Sequence, residues 1–180
     1  MSHSPSDYFA VFGIDRSLAL NLPELQRQFY VLSKQFHPDR FARASAAEQQ
    51  RALDFTSQLN DAWRILRDPI SRAEYLLKLQ GMEPGDSRTN PPPPELLEEV
   101  FDLNMALEEL RSGDTHARDQ ILGALNRFLA LRDQLDQDRD ALFVRYDANR
   151  DAATLQDLRG LLNRRRYIEN LVRDAQQALS

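Results

Sequence analysis

The chain has 180 residues, 42% of them hydrophobic and 28% charged, the balance of a soluble globular protein long enough for one domain or two small ones. It contains no cysteine, which excludes a disulfide framework, thiolate metal ligands and a cysteine nucleophile. The net charge of −5 is uneven: residues 1–80 hold 10 Lys and Arg against 9 Asp and Glu, and residues 81–180 hold 13 against 19, so the second half lacks the cation density that nucleic-acid phosphates demand.

In chain order, the pattern predicts helices throughout and no strand, an all-α protein. A short helix carries Tyr8, Phe9 and Phe12 and ends at Gly13. Asn21 and Pro23 supply an N-cap and a first-turn proline for an amphipathic helix with Leu22, Leu25, Phe29, Leu32 and Phe36 on one face. Pro38 disfavours helix at His37, so this helix should stop there and leave His37-Pro38-Asp39 on an exposed turn. The next helix places Ala52, Phe55, Leu59, Ala62 and Leu66 on one face, with Trp63 beside it. Asp68-Pro69 caps another, which runs through Tyr75-Leu76-Leu77 to Gly81.

Residues 81–94 end in four consecutive prolines and predict a stiff linker between a domain over 1–80 and one over 95–180. Beyond it, the pattern predicts a three-helix bundle. Its first helix spans Glu95–Arg111. The second begins at Asp114-Thr115 and continues, bent or broken, through Leu142, Phe143 and Tyr146. The third starts near Asp151. In the first of these helices Leu96, Val100, Leu103, Leu107 and Leu110 follow the core rhythm. Leu97, Phe101 and Met105 form a second stripe at four-residue steps, beside Glu98, Asp102 and Glu108. Two such stripes exceed what one helix buries in a three-helix bundle, so the second reads either as a partner-binding patch or as part of a wide core. Apolar runs are short, and residues 1–7 lack the basic-then-apolar order of a signal peptide, so neither membrane association nor export is expected and a cytoplasmic location is.

By itself His37-Pro38-Asp39 admits three readings: an acid/base pair, a fragment of a metal site, or a loop whose Asp39 caps the next helical turn. No third polar partner lies nearby in sequence, and the other histidines are only His3 and His116. The flanks add specificity. Tyr8-Phe9-Ala10-Val11-Phe12-Gly13, the run Phe29–Phe36 leading into the tripeptide, Leu59-Asn60-Asp61-Ala62-Trp63-Arg64-Ile65-Leu66, and Asp68-Pro69-Ile70-Ser71-Arg72-Ala73-Glu74-Tyr75 resemble, in order, the J domain of DnaJ-type co-chaperones. Leu76, where general J domains often carry Asp, and the acidic helical module that follows without cysteine repeats or a Gly/Phe linker resemble the HscB family of iron–sulfur co-chaperones over residues 7–179.

The resemblance implies a monomeric, cofactor-free and metal-free adaptor rather than an enzyme. It implies docking on the DnaK-type chaperone HscA and stimulation of its ATPase through His37, Pro38 and Asp39, helped by Arg27, Tyr30, Lys34 and Arg40. It also implies that the second module holds the iron–sulfur scaffold IscU through Leu97, Phe101, Asp102, Met105 and Tyr167. A general folding co-chaperone, whose acidic module binds unfolded segments, is the alternative.

Overall fold

The computed structural model describes residues 7–82 and 94–180, and every regular element among them is helical. The predicted linker, 81–94, and His3 lie almost wholly outside the described residues; Gly81, Met82 and Pro94 are the exceptions. The chain divides into two compact units that part between Gly81 and Met82. No helix among the described residues is long and apolar enough to cross a membrane.

In the first unit, α1 (Tyr8–Val11), α2 (Leu22–Gln35) and α4 (Pro69–Leu79) all contact the central helix α3 (Ala46–Arg67). The helix ends follow capping chemistry. The side chain of Asn21 accepts from the N–H of Glu24, and that of Asp68 from the N–H of Ser71. Ser45 and Glu48 form a reciprocal capping box at the start of α3, holding the Glu48 carboxyl below its ordinary range. Leu25, Leu59 and Leu66 are buried, whereas Leu22, assigned by its spacing to the same apolar face as Leu25, is 38% exposed at the first position of the helix. Tyr75 anchors the N-terminus: its hydroxyl accepts from the N–H of Tyr8 at 2.9 Å and its ring stacks on Tyr8 at 4.6 Å.

The second unit is a bundle of α5 (Leu97–Arg111), α6 (Ala117–Asn149) and α7 (Ala152–Leu179). Its first helix begins later than expected: Pro94–Leu96 is a 3-10 turn, and the α-helix starts at Leu97. The second begins at Ala117 rather than Asp114, because the Asp114 carboxylate accepts from the N–H of His116 and shapes a turn there. It then runs unbroken for 33 residues. Leu103, Ala106, Ile121, Phe128, Ile168 and Val172 fill the core. Val100, Leu107 and Leu110, expected inside, are only partly buried, and Ala106 takes the central place because a small residue admits the neighbouring helices closely.

Candidate functional site

The turn between α2 and α3 is exposed but held from behind. α2 ends with Phe36 as its C-cap, and Pro38–Phe41 forms one 3-10 turn. The hydroxyl of Thr56, on α3, shares its one proton between the carbonyl of Ala52, at 2.8 Å, and that of Phe36, at 3.1 Å, an acceptor that the end of α2 leaves open. The Phe36 ring packs on Phe55 at 4.3 Å between centroids. On the far side, the Gln49 amide donates to the carbonyls of Ala44, at 3.0 Å, and Ala42, at 3.4 Å. Both ends of the loop are thereby fastened to α3.

Within this frame His37, not Asp39, caps the turn: its Nδ1 accepts from the backbone N–H of Asp39 at 3.3 Å. The Asp39 side chain is 90% exposed, and its carboxylate lies 3.5 Å from His37 Nδ1. An exposed carboxylate on a braced turn is suited to accept charge-assisted hydrogen bonds from a guanidinium. It is poorly suited to acid/base work, which wants a closed pocket. Among the described residues no group of His, Cys, Asp and Glu side chains is arranged to hold a metal ion.

The other first-unit candidates lie on and beside α2. Arg27 is ion-paired with Glu24, one turn away, so part of its charge is already met. Tyr30 is 62% exposed and accepts a long hydrogen bond from Gln26 at 3.4 Å. Lys34 sits exposed in the last turn of α2, and Arg40 stands exposed in the 3-10 turn.

On α5, Leu97, Phe101 and Met105 are 51%, 63% and 48% exposed, one helical stripe of large hydrophobics turned to solvent. Asp102 is exposed beside them. Met105 and Asp102 line a hollow of about 460 Å³ between α5 and α6, together with Glu109, Asp119 and Arg127. Tyr167 differs: it is partly buried against the bundle core, and that burial raises its phenol above the ordinary value.

Two features escaped the sequence. One is the bracing of the loop by Thr56 and Gln49. The other is a polar ladder between α6 and α7. Asp136 accepts from Arg165 at 2.7 and 3.2 Å and from Arg139 at 2.6 Å, and Arg165 and Arg132 both reach Glu169. Burial by itself pushes the Asp136 carboxyl up, but the hydrogen bond from Arg165 and the charges of Arg165, Arg139 and Arg132 outweigh it and leave it lowered. A signal for the ladder was present: Arg139 stands four residues after Leu135 and four before Phe143, on a line of otherwise buried apolar positions, and an arginine there needs partners.

Residues 7–75 match the DnaJ domain model. A co-chaperone protein HscB homolog from Neisseria meningitidis is 38% identical over 109 residues, covering 61% of this chain and 66% of that protein. The homolog from Vibrio cholerae is 40% identical over 104 residues, 58% of this chain and 61% of its own length. The aligned sequence thus spans about two thirds of these relatives or slightly less. The solved structure of the chaperone HscB from Vibrio cholerae superposes with a TM-score of 0.64 at 27% identity, over 95% of this chain and 96% of that one. Human co-chaperone protein HscB, at 23% identity, shares the fold with a TM-score of 0.69, over 98% of this chain and 83% of its own. With the His37-Pro38-Asp39 turn in its frame of helices and an all-helical module after it, the chain carries a DnaJ domain and is similar over most of its length to HscB co-chaperones.

Proposed function

We propose that this protein is an adaptor of iron–sulfur cluster assembly that binds the scaffold IscU with its second unit, presents it to the DnaK-type chaperone HscA, and stimulates that chaperone's ATPase with its first. The observation that carries the reading is the pairing, in one chain, of a braced and exposed His37-Pro38-Asp39 turn with three large hydrophobics exposed on α5. Asp39 takes the charge-assisted contact with an arginine of the chaperone. Pro38 and the contacts from α3 fix the turn beforehand, so little conformational entropy is lost on docking. Leu97, Phe101 and Met105 supply the apolar centre of the scaffold contact, Asp102 its polar rim, and Tyr167 the aromatic edge contributed by α7. The hydrolysis takes place in the chaperone, and this chain contributes no catalytic group.

The test is calorimetric titration of the full chain with folded IscU and, separately, with an unstructured reference peptide, followed by chaperone ATPase rates with and without the scaffold. Saturable binding to folded IscU, and an ATPase rate raised by the two proteins together beyond either alone, is the expected result. Binding to the peptide but not to IscU would replace this reading with that of a general folding co-chaperone.

A further inference from the structure

Met105 stands where two unlike hollows meet. On the surface of α5 it lines an apolar hollow of about 340 Å³ together with Phe101, one helical turn away. Between α5 and α6 it lines the hollow of about 460 Å³, which it shares with Asp102, Glu109, Asp119, Gln120 and Arg127. Gly123 leaves room there for the arginine: Arg127 Nη1 lies 3.7 Å from where a Cβ at Gly123 would stand, so the guanidinium covers the glycine. The Arg127 side chain has no ion pair or hydrogen bond among the described residues. The chain has three methionines and no cysteine, so oxidation at sulfur falls on a thioether. Met105 is half-exposed, within reach of a dissolved oxidant. Its oxidation turns a flexible apolar side chain into a polar one whose oxygen accepts hydrogen bonds.

We propose that Met105 is a peroxide-sensitive switch on the scaffold contact. Reduced, its thioether lies with Phe101 in the apolar stripe; oxidised, its sulfoxide turns into the hollow between α5 and α6, accepts from the Arg127 guanidinium, and loosens the hold on the scaffold. The inference rests on the scaffold-binding reading above. The oxidant is hydrogen peroxide. The sulfur lone pair attacks one peroxide oxygen, the S–O bond forms and the O–O bond breaks. The hydroxyl now on sulfur gives its proton to the departing hydroxide, which leaves as water, so sulfur loses two electrons and peroxide gains them. Three rotatable bonds let the side chain serve either hollow without moving α5. The sulfoxide is neutral, so Asp102, Glu109 and Asp119 do not repel it as they would an anion. Left in the stripe, it would bring an acceptor without a donor into an apolar contact; in the hollow it finds a charged donor. To bind again, the scaffold must do without the thioether or draw the sulfoxide away from Arg127. Methionine sulfoxide reductases return the thioether, which makes the change reversible.

The experiment treats the full chain with hydrogen peroxide, measures sulfoxide at Met105 by peptide mass spectrometry, and titrates treated and untreated protein with folded IscU by calorimetry. It compares wild type, Met105→Leu and Arg127→Leu, and repeats the treated wild-type titration after both methionine sulfoxide reductases have acted. Oxidised wild type is expected to bind about tenfold more weakly than untreated, and to recover after reduction. Met105→Leu, whatever the substitution itself costs, should bind equally well before and after peroxide. In Arg127→Leu the loss on oxidation should shrink to about threefold. Saturating IscU should slow sulfoxide formation at Met105. Undiminished binding after Met105 is oxidised, or an equal loss in Met105→Leu, overturns the switch and leaves the scaffold reading standing, as does a Met105 that resists peroxide or oxidises equally fast under bound IscU. An undiminished loss in Arg127→Leu overturns the transfer into the hollow. Failure of the untreated chain to bind IscU overturns the scaffold reading and the switch with it.

Discussion

The His37-Pro38-Asp39 turn and the α5 stripe are both exposed, yet they are built on opposite principles. The turn is small and polar, and its value lies in geometry: Thr56 and Gln49 hold its two ends, and His37 caps it. The stripe is broad and apolar, and its backbone needs no special care because the helix supplies it. A contact made through geometry fails as a whole when one atom is wrong. A contact made through area loses affinity in proportion to what is removed. The two sites should therefore respond differently to small chemical changes.

The largest effect is expected at the turn. Asp39→Asn removes a charge and keeps the volume, and His37→Gln removes the imidazole from an exposed position. Both variants should abolish chaperone stimulation while melting like the wild type. Substantial stimulation by either, in a chain that melts normally, would mean that geometry at this turn is not what activates.

At the stripe the loss should be graded. Phe101→Ala is expected to weaken scaffold binding by about 2 kcal/mol, roughly thirtyfold, without lowering the melting temperature. Leu97→Ala and Met105→Ala should follow at smaller size. The matching control is Phe128, which is fully buried: Phe128→Ala should cost about 3–5 kcal/mol of stability and collapse the melt. If Phe101→Ala behaves like Phe128→Ala, the stripe belongs to the folding core and the contrast between the two regions disappears.

A smaller effect should appear at low pH. Asp136 has its carboxyl lowered in the folded state from an ordinary 3.8. Its contribution to stability is therefore complete above that value and is lost as pH falls through the lower, folded one. Acid should thus weaken the second unit through Asp136, and Asp136→Asn should cost about 1–2 kcal/mol at neutral pH while flattening the acid limb of the melt. An unchanged acid limb would show that the ladder between α6 and α7 does not contribute.

The smallest predicted effect returns to the turn. Thr56→Val removes the hydroxyl that donates to the Phe36 carbonyl and keeps the shape, at a cost of about 1 kcal/mol. Stimulation should fall about threefold, a loss of the order expected for one weakened positioning contact. No change in stimulation would mean that the turn holds its shape without help from α3.

What the sequence reveals and what it hides follow from the range of the interactions. Helix ends were legible because capping is local: Asn21, Asp68 and Asp151 each serve an N–H three residues on. The tripeptide was legible because proline acts on its immediate neighbour. The stripe was legible because helical period alone shows one face too many. Hidden were the contacts between elements distant in sequence. Thr56 reaches Phe36 across 20 residues, and Arg165 reaches Asp136 across 29, and neither separation leaves any periodicity to detect. How far Tyr167 is covered was hidden for a related reason. Its position in the last helix says nothing of how deeply the other two helices cover it, and it packs against the core rather than standing clear like Phe101.

The bracing of the turn also limits how far it can travel. Because the Phe36 carbonyl and the loop's far side are both held by side chains of α3, a short peptide carrying only the turn and its neighbours would lack the parts that shape it, and helices that short are marginal in water. Grafting His37-Pro38-Asp39 onto another helical hairpin would transfer the letters without the conformation, unless a hydroxyl and an amide were placed on the receiving helix to do for the graft what Thr56 and Gln49 do here. The portable unit is the hairpin, and the tripeptide is its exposed tip.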